Sequence, residues 1–251
     1  MAAFCFNTIT AGPDADLIAL IGLLPKYGFR LIEFHALSLE SHLQRRGLTP
    51  LAFALKRNRV RAAGVSGFPF LPFSFDERRR AEFAETAEMC ASLGGRTLSC
   101  PIAEGPPPGG TLDDCMRISM ETARDYGRMA AEFGLRVALE SRKGHLFMSH
   151  PVETLEVIRR TGRENVGLDA DTIQLVLAQC WPDAVRSFPR EKLFGVHLAA
   201  ALFDRDYLCA LESLRYDGPV TLRTPNPGGW EEPIEETLAE LRDKIAFILT
   251  V

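Results

Sequence analysis

In EFGLRVALE, residues 132–140, a helical run stops at Gly134, a basic residue follows, and a short apolar strand runs on to Glu140. Glycine supplies the left-handed backbone that closes a helix, and the β-rich residues after it start a strand. The same order recurs in KYGFRLIEF (26–34) and LGGRTLSC (93–100). Five more short apolar strands are read in AFCFNTIT (3–10), VRAAGVSGF (60–68), RENVGLDAD (163–171), EKLFGVHLA (191–199) and DGPVTLRT (217–224). Helical patterns separate them over 15–26, 48–58, 75–93, 111–133, 152–160, 173–187, 207–215 and 234–249. Pro13-Asp14 reads as the start signal of the first, and Ser74 with Glu77 three residues on as that of the third.

Strands alternating with helices predict a parallel sheet, and at 251 residues the closed form is a single (β/α)8 TIM barrel. The expectation is one α/β domain over residues 1–251 with no linker. GPPPGG (105–110) falls between a strand and its helix and reads as a rigid loop over the barrel mouth. An open doubly wound sheet is disfavoured, because no Gly-x-Gly-x-x-Gly follows the first strand.

Composition narrows the partners. With 46% hydrophobic and 25% charged residues and a net charge of −4, the chain has an ordinary globular profile. No clustering of Lys and Arg of the kind that neutralises phosphates is evident, so no nucleic-acid partner is expected. The basic run Arg78-Arg79-Arg80 follows Asp76 and Glu77 in a helical pattern and reads as a solvated face. MAAFCFNTIT lacks the charged start and apolar core of a secretory leader, and no apolar run approaches the ~18 residues of a membrane span. The six cysteines are scattered without a Cys-x-x-Cys pair, which reads as reduced, buried thiols and a cytoplasmic setting.

Barrels of this type carry their chemistry at the C-terminal strand ends. The last inward-capable positions are Asn7, Glu33, Ser66, Ser99, Glu140, Asp171, His197 and Arg223. Charged or titratable residues thus end the fifth to eighth strands in succession, where a structural barrel has no use for them. Asp169, two residues before Asp171, faces the same way one layer deeper. Stacked carboxylates repel, and one retains a proton unless a cation lies near.

TLEVIRRTGRENVGLDADTIQLVLA (154–178), EKLFGVHLA and YDGPVTLRT resemble the xylose-isomerase-like TIM barrel family of sugar phosphate isomerases and epimerases. The resemblance runs over essentially the whole chain. It implies a divalent ion (Mn, Mg, Co or Zn) held by a Glu ending the fifth strand, an Asp ending the sixth, a His in the seventh and a Glu ending the eighth. The ion grips vicinal oxygens of a substrate, and the two glutamates exchange a proton with its carbon. Matched to the family's motif, these positions are Glu140, Asp171 and His197, but the fourth is Arg223. Two neighbouring positions depart as well: Gln174 stands where the family often has His, and Ala200 where it often has Asp.

Arginine stays protonated and cannot ligate a metal, and a full positive charge ~4–5 Å from a divalent ion is unfavourable. It does form bidentate bonds to carboxylates, which offers Glu140 or Asp171 as partners. Two site chemistries follow: a metal-free cluster balanced by Arg223, or a three-ligand ion on Glu140, Asp171 and His197. The expected activity is that of an isomerase, epimerase or dehydratase on a small sugar-like or hydroxy-carbonyl substrate. Glu140 is then the base, His197 its partner acid, and Arg223 the electrophile or the grip on a substrate carboxylate. Glu33, Asn7, Asp169, Arg142 and Lys143 are the candidate substrate contacts, with His145 a further cation on the loop after Glu140. The competing expectation is a non-catalytic binding or regulatory subunit that kept the barrel. A nuclease of the endonuclease IV type is disfavoured, since its metal cluster needs more histidines than the five present. Phe68, Phe70, Phe73 and Phe75 read as an apolar lid or a subunit contact, consistent with a homodimer or a heteromer with a related subunit. Trp230 reads as packing for the last helix.

Overall fold

The computed structural model describes residues 3–199, 205–224 and 233–250, so Ala200 and Trp230 lie outside the described residues. Eight parallel strands close in sequence order: β1 (Ala3–Asn7), β2 (Leu31–His35), β3 (Arg61–Ser66), β4 (Thr97–Pro101), β5 (Arg136–Glu140), β6 (Val166–Asp171), β7 (Leu193–Ala199) and β8 (Pro219–Arg223). Closure is the pairing of β1 with β8, from Ala3 beside Pro219 to Phe6 beside Leu222. Around them lie α1 (Leu17–Leu23), α2 (Ala36–Arg46), α3 (Thr49–Asn58), α4 (Glu77–Ser92), α5 (Leu112–Glu132), α6 (Pro151–Thr161), α7 (Thr172–Leu177), α8 (Pro182–Val185), α9 (Arg205–Ser213) and α10 (Ile234–Thr250). Among the described residues no helix is long and apolar enough to cross a membrane.

Strand alternation divides the side chains into two sets. Phe6, Ile32, Phe34, Val65, Leu98, Val137, Leu139, Leu168, Val196, Leu198, Val220 and Leu222 are buried in the main apolar core. Residues one position away along the strands, among them Asn7, Glu33, Ser66, Ser99, Glu140, Asp169 and His197, are the buried polar ones. Period-two alternation therefore places the chemistry inside the barrel and the packing outside it.

All eight strands and most helices fall where the sequence places them, and the departures have local causes. α2 is not expected from the sequence, because ALSLESHLQRR is mostly polar; it buries Ser38, Leu39 and His42 and is started by the His35 ring, which accepts from the Leu37 amide at 3.3 Å. α1 is capped by Asp16, whose Oδ1 accepts from Ile18 and Ala19, rather than by Pro13-Asp14. α4 is capped by Asp76, and Ser74 instead donates to Glu104 at 2.7 Å. The single helix expected over 173–187 is two, because Gln179 takes φ 57° and Pro182 opens a new turn.

The phenylalanine-rich stretch is corrected at two of its four rings. Phe68 and Phe70 are buried, and with Phe75 and Phe83 their rings surround Tyr126 at centroid distances of 4.4–6.2 Å. They pin the loop after β3 onto α4 and α5, so Phe68 and Phe70 are packing residues rather than a lid, while Phe73, 6.5 Å from the Phe147 ring, and Phe75 are half-buried. Arg78 and Arg79 pair with Glu82, and Arg80 with Asp125, as a solvated helix face requires. All six cysteines are free, five of them buried.

Candidate active site

The site starts from two irregularities in the ladder. The register shifts between Ile32 and Glu33 where β2 meets β3, and between Leu168 and Asp169 where β6 meets β7. Such shifts re-aim side chains. Here they fall at the two carboxylates that flank one imidazole: His197 Nε2 lies 2.8 Å from Glu33 Oε2, and Nδ1 lies 3.3 Å from Asp169 Oδ2.

Further bonds extend this axis across the barrel. Asn7 Nδ2 donates to Glu33 Oε2 at 2.6 Å and to Ser66 Oγ at 2.9 Å, while Asn7 Oδ1 accepts from the Ile9 amide at 2.9 Å. On the far side the Ser99 hydroxyl donates to Asp169. Every member is buried, so each bond matters more than it would in water.

Above the axis sits a second ionic group. The Arg223 guanidinium forms an ion pair with Asp171 Oδ2, and Asp171 Oδ1 accepts from the Gln174 amide at 3.0 Å, capping α7. Asp171 stands beside His197 in register, and Glu140 beside Asp169. Glu140 is 3% exposed, its Oε1 has no hydrogen-bond partner, and Arg142 Nε approaches that oxygen at 3.9 Å. Arg223 and Arg142 are the members that reach toward solvent, at 20% and 44% side-chain exposure.

Burial and charge set the proton positions. Burial opposes the imidazolium of His197, but Asp169 and Glu33 outweigh it and push the pKa up to about 10. Burial likewise opposes ionisation of Glu33, and His197 overcomes it, leaving the carboxyl below its usual range. Asp169 is raised, chiefly by burial. Burial and then Asp171 push Glu140 up to about 7, against the pull of Arg223.

Glu140, Asp171, His197, Arg223, Glu33, Asn7 and Asp169 are thus gathered at the mouth or just below it. Arg142 is at the rim. Lys143 is exposed, and its backbone amide, not its side chain, is the part tied down, to Gln174 Oε1 at 2.9 Å. Among the described residues, the three whose donor atoms converge within 4.8 Å are Glu140, Asp169 and His197, with Asp169 in place of the expected Asp171. The sequence reading missed two glycines that make room. A Cβ on Gly195 would stand 2.8 Å from Asp169 Oδ1, and one on Gly67, at φ +81°, would stand 2.3 Å from His35 Nε2. A glycine inside the strand GVH is the available signal of such a close approach.

A closed parallel barrel with a buried ionic cluster at its C-terminal mouth defines the class: a TIM barrel with polar groups gathered where this fold places its chemistry. The chain belongs to the xylose isomerase-like TIM barrel family, whose description matches residues 21–244. Among solved structures it is similar to a xylose isomerase domain protein from Alicyclobacillus acidocaldarius, at 18% identity and TM-score 0.80 over 100% of this chain and 99% of that one. It is similar to the IolI protein with a bound zinc atom, at 19% identity and TM-score 0.82 over 99% and 98%. It is also similar to D-psicose 3-epimerase with D-tagatose from Clostridium cellulolyticum H10, at 16% identity and TM-score 0.77 over 98% and 96%. Identities this low establish a shared fold. No match is found among curated proteins.

Proposed function

We propose that this chain moves a proton at a carbon next to a carbonyl, as an isomerase or epimerase of a small hydroxy-carbonyl compound, with Arg223 in the place of the family's metal ion. The observation that carries the reading is the Arg223–Asp171 ion pair set beside the buried Glu140, whose Oε1 accepts no hydrogen bond. Family membership supplies the reaction class, and a neighbour described as a sugar epimerase is consistent with it.

The donor set argues against a four-ligand ion. The fourth carboxylate is a guanidinium, and that guanidinium engages Asp171. His197 is flanked by carboxylates at both nitrogens, an arrangement that favours the doubly protonated ring, which has no lone pair for a metal. The group Glu140, Asp169 and His197 is therefore read as ionic, with His197 and Arg223 supplying the positive charge.

The chemistry follows from these groups. Glu140, balanced near neutrality, takes the proton from the carbon, and the released electron pair moves onto the carbonyl oxygen as an enolate. Arg223 donates to that oxygen from a position fixed by Asp171 before the substrate arrives. Protonated Glu140 returns the proton to the neighbouring carbon while the adjacent hydroxyl proton passes to the enolate oxygen, which gives the isomer; a proton delivered to the opposite face by water, with Glu140 releasing its own to solvent, gives the epimer. Expulsion of a β-hydroxyl from the same enolate gives the dehydratase outcome. His197, held between Glu33 and Asp169, positions the layer beneath.

Exchange of substrate C–H hydrogen with deuterated solvent, followed by NMR over a panel of keto-sugars and keto-acids, tests the reading. Exchange that disappears in Glu140→Gln is expected. A panel without exchange, from protein that co-purifies with an active homologue, would instead identify a non-catalytic subunit.

A further inference from the structure

The mouth uses Arg142, Lys143 and Arg223, yet the basic residues that recur at strand starts lie at the opposite end of the barrel. Arg61 opens β3, Arg96 precedes β4 and Arg136 opens β5. Because the strands are parallel, all three stand at the N-terminal end, and with Lys56 of α3 they line one cleft of about 690 Å3. That volume suits a small organic molecule.

Charge sets this cleft apart from most of the helical surface. On the helices arginines are mostly answered by acids: Arg159 and Arg160 by Glu156, Arg117 by Glu121, Arg128 by Glu132. Among the described residues, Lys56, Arg61, Arg96 and Arg136 have no such partner. The one acid lining the cleft, Asp217, is engaged by Arg190 at 3.2 Å. Arg57 and Arg59 add to the same run, KRNRVR (56–61), in a chain whose net charge is −4. Like charges crowded this way repel unless an anion lies among them.

Two features point to the kind of anion. Arg136 is already positioned: its guanidinium lies 4.7 Å from the Phe194 ring centroid, and Nη2 donates to Thr97 Oγ1 at 3.3 Å. Between the cations the cleft is apolar, floored by the buried Leu55, Val60, Ala62 and Leu93. A cationic rim over an apolar floor matches a molecule with phosphates at one end and an apolar or planar body at the other. We infer that the N-terminal face of the barrel binds a nucleotide-like organic phosphate, with Arg61, Arg96 and Arg136 contacting the phosphates and the apolar floor contacting the body.

Calorimetric titration of the full chain with ATP, and separately with inorganic pyrophosphate, tests this. One saturable site is expected, tighter for ATP than for pyrophosphate, weakened about tenfold or more by Arg96→Gln or Arg136→Gln and unchanged by Arg223→Gln. Both rim arginines are exposed, so unaltered circular dichroism and melting temperature should accompany the loss. Absence of saturable binding, or binding that disappears only with Arg223→Gln, would overturn the site. Equal affinity for pyrophosphate and ATP would overturn the role of the floor. Tighter binding of duplex DNA than of ATP would replace the small molecule with a macromolecule.

Discussion

Arg223 and Asp171 are joined across β7: the guanidinium from the end of β8 reaches over the strand that carries His197 to the carboxylate at the end of β6. The family pattern implies a fourth carboxylate at this position, and in the proposed reading one side chain takes that ligand's place and brings one positive charge where a divalent ion would bring two. Several consequences are measurable.

Metal content is the first. Wild-type protein purified without chelator, then loaded with manganese or zinc, should retain well below one ion per chain by mass spectrometry. Arg223→Glu restores the family's carboxylate and frees Asp171, and should raise retention toward about one ion per chain. Stoichiometric metal in the wild type, lost in Glu140→Ala, would show that three ligands suffice.

Glu140→Gln keeps the shape of the side chain and removes the base. Turnover should fall by about 10²- to 10⁴-fold with the melting temperature preserved. In the wild type, kcat/KM should rise with pH through about 7, the range in which Glu140 gives up its proton. A flat profile across pH 6–8 would assign the base elsewhere.

The buried axis makes a stability prediction of definite sign. His197 is raised to about 10 in the folded chain, against about 6.5 when unfolded. The folded state therefore binds the extra proton, and the stabilisation is complete below about pH 6.5 and declines as pH climbs toward 10. Urea unfolding at a series of pH values should show that decline in the wild type and a flatter curve in His197→Gln. Removing the imidazole leaves Glu33 and Asp169 buried without their cation, a loss of about 3–5 kcal/mol at neutral pH.

Gly195→Ala tests the close approach of β7 to Asp169. The added methyl meets a carboxylate that Ser99 and His197 already hold, so it cannot swing aside freely. A cost of about 1–3 kcal/mol in chemical denaturation is expected. An unchanged midpoint would mean that the axis is slack.

Much of this architecture is legible from residue order. A glycine, a basic residue and a short apolar run mark β2, β4 and β5, and the polar strand ends pick out Glu140, Asp171, His197 and Arg223 before any coordinates. Who pairs with whom is not legible. Asp169 and Asp171 are two residues apart on one face, yet Asp169 comes nearer to His197, at 3.3 Å against 4.0 Å, while Asp171 meets Arg223, and a register shift falls at Leu168/Asp169. The phenylalanines after β3 look available for a partner until Tyr126, more than fifty positions away from Phe70, arrives to pack among them. Arg61, Arg96 and Arg136 are likewise dispersed in the chain, and parallel strands alone bring them to one end.

The amide of Thr224 donates to Thr10 Oγ1 across 214 positions of sequence, where β8 returns to β1. The buried axis draws on β1, β2, β3, β4, β6 and β7, so no contiguous segment owns it. A chain emerging from the ribosome must carry Glu33 and Asn7, committed to an interior that does not yet exist, until the strands bearing Asp169 and His197 have followed. Through that interval Glu33 has Asn7 to bond to, but it and Asp169 lack the imidazole that balances their charge. A half-barrel thus presents carboxylates that favour water over burial until the seventh strand brings their counter-charge.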